Sequence, residues 1–255
     1  MALFTDFTVT TIDELMGYES SLLEVARTER IDLSIKLTLA RQEIGIELTA
    51  FLAERSGSEW QGILWPRLEL GNIVVTEPLH KWHIFHTLAL IYRDAYNSQL
   101  NDRYMGKWKE YERRAQWASG KLFRIGVGTV SDPMAQAEKP ALSSVAGALP
   151  GATYYVRASW LNAHGQEGQP SELVVLNTAT NSLLVVEMVN PPGNARSWNV
   201  FAGLSPSEVS LQHDVPLALG QTWTELASGL RRGRAPGNGQ APESYLKASG
   251  AFFRG

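Results

Sequence analysis

The chain of 255 residues contains no cysteine, which excludes disulfides, thiolate metal sites and a cysteine nucleophile together. That composition is compatible with folding in a reducing cytoplasm. No apolar run approaches the roughly 20 residues needed to cross a bilayer. The opening segment MALFTDFTVT has neither the basic start nor the continuous apolar core of a signal peptide, so a soluble protein with no membrane partner is expected. Neither sign of charge dominates: 23 Lys and Arg face 26 Asp and Glu, for a formal net charge of −3. Bulk electrostatics therefore does not make this a nucleic-acid binder, and any contact with DNA has to come from a local patch.

The short motifs of common catalysis are missing too. There is no Gly-x-x-x-x-Gly-Lys-Ser/Thr phosphate loop and no Gly-x-Ser-x-Gly elbow. Gly126-Val127-Gly128 lacks the further glycine and the following helix of a dinucleotide fingerprint. Scattered Asp and Glu residues supply no defensible acid and base pair. The most tempting ligands are His80, His83 and His86 in HKWHIFH, but the segment lacks His-Glu-x-x-His spacing and a clear carboxylate partner, and reads as packing or interface histidines. The expectation is a protein that is not an enzyme, with no catalytic residue, no metal and no cofactor.

What the sequence does have is a long helical stretch from Leu79 to Arg124, with a hinge near Asn97 to Asp102. In its second half Tyr104, Trp108, Tyr111, Ala115, Ala118 and Leu122 recur at steps of four and three, which places them on one stripe of a helix. The other face carries Lys107, Lys109, Glu110, Glu112, Arg113, Arg114 and Lys121, with Glu110 and Arg114 spaced for an i,i+4 pair. In its first half Trp82, Phe85, Leu88, Ala89, Tyr92 and Tyr96 lie on one side and Ile84 and Ile91 on another, as in a helix central to a bundle.

Upstream, Thr11 and Glu14 form a capping box that starts a helix to about Arg27. Asp32 either caps a second helix or lies in a continuation of the first; the helix that follows reaches about Glu54, with the stripe Leu37, Ala40, Ile44, Leu48 and Phe51, ended by Ser56 to Ser58. A connector follows with Trp60, Trp65 and Pro66, closing on the β-branched run Ile73 to Val75. Thr76 caps the next helix, with Pro78 in its first turn.

After Leu122 glycine and proline break the helical pattern, and 129–144 reads as a linker. The period then switches to two. TYYVRASWL, SELVVL, SLLVVEMV, SWNVFA, EVSLQHDV and QTWTEL are expected strands separated by turn signals, which suggests a β-sandwich. The fold class is thus multidomain α plus β: an N-terminal α-helical bundle over 1–128, the linker, a fibronectin/immunoglobulin-like β-sandwich over 145–230, and an extended tail over 231–255.

Two resemblances follow. The second domain resembles fibronectin type III-like modules. It does so through Tyr154, Val156, Ala158, Trp160, Asn162, Gly165, Pro170 and Ser171, similar to an F strand, turn and G strand, and through Trp198 to Phe201, similar to a C strand. Here the F–G-like hairpin precedes the C-like strand, the reverse of the ordinary order. The first domain, over about Thr11 to Phe123, resembles the head-to-tail adaptor proteins of tailed bacteriophages. The likeness lies in element order and in the segments VVTEPLHKWHIFHTLALIYRDA and NDRYMGKWKEYERRAQ. The resemblance implies a virion protein assembled in the host bacterial cytoplasm. It implies a homo-oligomeric ring, commonly a dodecamer, beneath the portal protein, with a stopper or tail protein on its other side and DNA passing through without sequence specificity.

Candidate contact residues follow from these readings. Lys107, Lys109, Arg113, Arg114 and Lys121 belong either to a solvated helix face, to a ring lumen or rim near DNA or portal, or to a contact with an acidic neighbouring subunit. Tyr245, Phe252 and Phe253 in the tail are candidates for docking onto a neighbour or the portal. In the sandwich, Tyr155, Arg157 and the loop with His164 are candidates for a glycan or host surface, the alternative role being that of a tail or baseplate binding protein. A spacer whose Tyr154, Trp160, Trp198 and Trp223 form the core is favoured, because alternation already accounts for those aromatics.

Overall fold

A computed structural model describes residues 1–6, 9–55, 68–99 and 102–247. Its fold is α plus β and multidomain, with helices preceding an antiparallel β region. The chain forms two compact units, one of Phe7–Val130 with Pro242–Gly255 and the other of Met1–Asp6 with Ser131–Ala241. The Ser56–Ser58 helix stop, Trp60, Trp65 and Pro66 of the expected connector, and Phe252 and Phe253 lie outside the described residues.

The first unit contains α1 (Ile12–Tyr18), α2 (Leu22–Glu29), α3 (Leu33–Arg55), α4 (Glu77–Gln99) and α5 (Met105–Ile125). The capping box is present: Glu14 N donates to Thr11 Oγ1 at 3.2 Å, and Thr11 N donates to Glu14 Oε2 at 2.7 Å. The helix it starts is shorter than the sequence pattern suggests. Glu19 leaves the helical conformation, and its carboxylate accepts from Ser21 Oγ, Lys107 Nζ and Tyr111 OH at 2.7–2.9 Å. Leu15 and Leu22 on either side of the break are both fully buried, which is why the apolar periodicity runs through it. Of the two readings of Asp32, the structure shows the cap: it accepts from Ser34 N and Ile35 N at the start of α3.

Helix α4 is the centre of this unit. Trp82, Ile84, Phe85, Leu88, Ala89, Ile91 and Tyr92 are all buried, so it is covered on several sides. Its aromatics pack onto α5 through the stacked pairs Tyr92–Tyr111 and Tyr96–Trp108, each with ring centroids 5.7 Å apart. The hinge expected at Asn97 to Asp102 begins later, since α4 runs on to Gln99. Thr76 precedes α4 but does not cap it by side chain: its hydroxyl is buried with no hydrogen-bond partner among the described residues. Its methyl is turned instead towards Gly128, where an added Cβ would meet it at 2.9 Å.

After α5 the chain forms β1 (Val127–Thr129), bridged by Ile73 on one side and paired antiparallel with β10 (Ser244–Leu246) on the other. The pair is close. Gly126 has φ +121°, and a Cβ there would lie 2.9 Å from that of Tyr245. The final described segment is therefore a strand of the helical unit, and Tyr245 lies opposite Gly128 in its own chain. Within the extended tail expected over 231–255, residues 244–246 are thus paired with the chain's own β1. The expected linker over 129–144 differs as well, for Thr129 belongs to β1, Met134 and Ala137 are buried in the sandwich core, and 141–146 form a strand. Proline and glycine content resembles a linker, but backbone pairing and side-chain burial decide the matter.

The second unit is built from β2 (Ala141–Ala146), β3 (Thr153–Leu161), β4 (Val174–Asn177), β5 (Ser182–Glu187), β6 (Ser197–Gly203), β7 (Ser210–Leu211), β8 (Leu217–Ala218) and β9 (Trp223–Thr224). One sheet has the order β2-β5-β9 and the other β4-β3-β6-β7, with β8 also on β6. Alternation holds: Tyr154, Val156, Ala158 and Trp160 from β3 meet Leu184 and Val186 from β5 and Trp198, Val200 and Ala202 from β6 in one core. In chain order, β2 to β7 occupy the places that strands B, C, C′, E, F and G hold in an immunoglobulin-like sandwich. The F-like and C-like labels of β3 and β6 are thus interchanged, and the apparent reversal of order disappears. The two strands are both buried and aromatic, so only their sheet neighbours distinguish them.

Segment 231–234 is fixed against this second unit. Leu211 N donates to Arg234 O at 2.9 Å, and the Arg234 guanidinium lies 5.2 Å from the Phe201 ring centroid while pairing with Glu167.

Candidate assembly surface

The structure separates the five basic residues of α5. Lys107 turns to its own chain, 2.7 Å from Glu19 Oε2. Arg114 pairs with Glu110 at 2.6 Å and lies over the rings of Phe85 and Tyr111. Lys121 is half-buried, with Nζ 6.0 Å from the Trp117 ring centroid. Lys109 and Arg113 remain on the outward face.

Placed on a helix of 3.6 residues per turn, Gly106, Lys109, Arg113, Trp117, Gly120 and Arg124 share the side opposite the buried stripe of Tyr111, Ala115, Ala118 and Leu122. All six are exposed, and Trp117 is 58% exposed. Two members of the outer side are glycines: Gly106 in the first turn, and Gly120 inside the helix, where it costs roughly 0.5–1 kcal/mol relative to alanine. A Cβ at Gly106 or Gly120 would meet nothing within 4 Å, so packing inside the chain does not require either one. The sequence reading found the cations of this face but not Trp117, Arg124 or the glycines, whose signal was their shared spacing.

Helix α3 has the same two-sided character. Ala40, Ile44, Leu48 and Phe51 are buried, as the sequence pattern predicts. On the opposite side Ile35 is 55%, Leu39 38% and Ile46 69% exposed, in line with exposed Gln42, Thr49 and Ala53. Positions 35, 39, 42, 46, 49 and 53 follow the alternating four-three spacing of a coiled-coil seam. Thr38 and Thr49 donate their hydroxyls back to Ser34 O and Gly45 O at 3.0 and 2.7 Å. Glu43 lies beside the stripe, whereas Glu47 and Glu54 share the helical row of buried Ala40. The sequence reading stopped at the first stripe; the second was legible in the same spacing.

Between α3 and α5 an open groove of about 370 Å³ runs over α4, with Trp82, His86 and Arg93 at its floor and Glu47, Trp108 and Glu112 at its walls. The three histidines of α4 go to separate partners. His80 lies 3.3 Å from Glu14, and His86 is 2.6 Å from Glu43. His83 is buried between Thr10 Oγ1 at 2.9 Å and Leu37 O at 3.1 Å, and burial lowers its pKa to about 4. It is therefore a neutral ring that donates to Leu37 O through Nε2 and accepts from Thr10 through Nδ1. Among the described residues no three His, Asp or Glu side chains converge as a metal-binding group.

In the sandwich, Tyr154, Trp160, Trp198 and Trp223 are core, while Tyr155 and Arg157 are half-buried and His164 is exposed. Tyr245 is 49% exposed on β10. The chain matches no family model and no curated protein. Fold and surface together define a two-unit α plus β protein whose most developed uncovered features are the opposed outer stripes of α3 and α5.

Proposed function

We propose that this protein is a head-to-tail adaptor of a tailed-bacteriophage virion, assembled as a ring beneath the portal, with the stopper or tail on its far side and DNA passing through its centre. The observation that carries this reading is α3, whose inward stripe is buried while Ile35, Leu39 and Ile46 on its other side are left exposed among the described residues. An exposed apolar stripe beside a buried one marks a surface onto which a partner packs. A repeated subunit contact supplies that cover at every position of a closed ring. The order of helices resembles that of adaptor domains, and the sandwich is an insertion in the helical unit between β1 and β10, as suits a displayed spacer. The role is mechanical: it joins capsid to tail by buried area.

Negative-stain electron microscopy of the purified protein, alone and mixed with candidate portal rings, tests the proposal. Closed rings that stack coaxially on a portal support it. A monomer that joins no portal ring counts against it, and glycan binding by the purified protein in that case favours a tail or baseplate binding protein.

A further inference from the structure

We infer that the groove between α3 and α5 is a docking site for the chain's own segment 248–254, which runs back along α5 with Phe252 and Phe253 against the aromatic lining and Arg254 beside the acidic wall. This goes beyond the adaptor reading and does not depend on it.

The path of the chain sets the direction. β10 runs antiparallel to β1 with Leu246 opposite Val127, and a Cβ at Gly126 would lie 3.3 Å from Lys247 Cγ. The last described residue therefore stands at the C-terminal end of α5, on a strand that heads back towards that helix. Phe123, one turn before Gly126, lines the same end of the groove, with its ring centroid 5.9 Å from that of Trp82 and 5.1 Å from that of Phe51.

Length sets the register. Extended chain advances about 3.3 Å per residue, so Phe252 and Phe253 come about 17–20 Å beyond Lys247, and Arg254 about 23 Å. Back along α5, at about 1.5 Å per residue, Gln116 is about 15 Å and Glu112 about 21 Å from Gly126. The two phenylalanines thus fall between Phe123 and Trp108, and Arg254 falls level with Glu112.

The chemistry matches at that register. Trp82, Trp108 and Phe123 give the groove its aromatic surface, while Glu47 and Glu112 line it with no ion-pair partner among the described residues. Glu43 is taken by His86, and Arg93 is the one guanidinium of the lining, so the groove is acidic on balance. The segment that follows β10, KASGAFFRG, carries Lys247 and Arg254 and no acidic residue. Ala248 to Ala251 are all small, which lets the backbone lie close against α5. A second copy's segment has the same composition, but only the chain's own is tethered at the end of the groove. Such a tether sets an effective concentration on the order of millimolar, which decides the occupant.

The absence of native cysteine gives a direct test. Gly250→Cys is combined with Ser119→Cys, which lines the groove, or with Trp117→Cys, at a similar height on the outer face of α5. The full-length double variants are treated at low concentration with a short bismaleimide, and the products are mapped by peptide mass spectrometry. The expected result is an intramolecular 119–250 link that forms at least tenfold faster than 117–250. Adding Phe252→Asp and Phe253→Asp should bring the two rates together, and adding Arg254→Glu should slow the 119–250 reaction several-fold, with helical circular dichroism retained. Equal rates at 117 and 119 in the parent pair overturn the inference. So does a 119–250 product that forms only between chains when the single variants are mixed, or one whose rate the two Phe→Asp substitutions leave unchanged. A 119–250 link in a chain that forms no ring retains this contact and rejects the adaptor reading, and rings without the link do the reverse.

Discussion

The Tyr111 hydroxyl donates to Glu19 Oε2 across 2.9 Å and so ties the middle of α5 to the break between α1 and α2. Burial works against the charge of Glu19, but hydrogen bonds from Lys107, Tyr111 and Ser21 outweigh it and hold the carboxyl below its ordinary pKa. Tyr111→Phe removes one donor and keeps the stacking on Tyr92. It should lower unfolding free energy by about 1.5–3 kcal/mol in urea titration, the range for a hydrogen bond to a charged group. Glu19→Ala should cost more, because it removes the acceptor of the buried Tyr111 hydroxyl and the partners of Lys107 and Ser21 at once.

His83 sets a pH dependence of known sign. Burial depresses its pKa from 6.5 to about 4, so the unfolded chain binds the proton more readily. Its neutral form favours the fold fully above pH 6.5, and that contribution is lost as pH falls towards 4. At 1.36 kcal/mol per unit the loss is roughly 3 kcal/mol. Urea unfolding at pH 7, 5.5 and 4.5 should show this fall. In His83→Gln, whose amide can replace both hydrogen bonds, the fall over that window should shrink.

Gly126→Ala tests the pairing of β1 with β10. At φ +121° an L side chain is strained, and its Cβ would lie 2.9 Å from that of Tyr245. The variant should lose about 1–3 kcal/mol. Hydrogen exchange should locate the loss at Val127–Thr129 and Ser244–Leu246, whose amides would lose protection before those of α4.

Trp198 is fully buried and donates through Nε1 to Ala218 O at 3.1 Å. Trp198→Ala leaves a cavity opposite Trp160 and an unpaired carbonyl, and should cost about 3–5 kcal/mol, read as a lower midpoint in denaturant.

Much of this architecture was legible from residue spacing. The capping box at Thr11, the inward stripe of α3, the aromatic seam of α5 and the Glu110–Arg114 pair follow from periods of three and four, and the strands from a period of two. These patterns are local, because a side chain's direction depends on a few backbone dihedrals. The break at Glu19 escaped because apolar periodicity continues through it, and what ends the helix is a carboxylate taken by partners almost 90 residues away.

The candidate surface was half legible. Basic residues on α5 could be counted in sequence, yet Lys107 and Arg114 are committed to Glu19 and Glu110, while Lys109, Arg113 and Arg124 point outward. Composition reports charge, and only packing reports which charges are already neutralised. The second stripe of α3 shows the same limit: Ile35, Leu39 and Ile46 look like core residues in sequence, and only the position of α4 determines which side of the helix is covered.

By itself the sequence determined the α plus β class, the central place of α4, the alternating core of the sandwich, and the absence of disulfide and thiolate chemistry. Those follow from residue type and period alone. Tertiary structure decided that 244–246 returns to the helical unit as a strand, that β3 and β6 exchange their apparent labels, and that two helix faces are left exposed among the described residues. Each is a matter of which distant partner a backbone group or apolar surface meets, and that choice is made by the whole chain competing for cover.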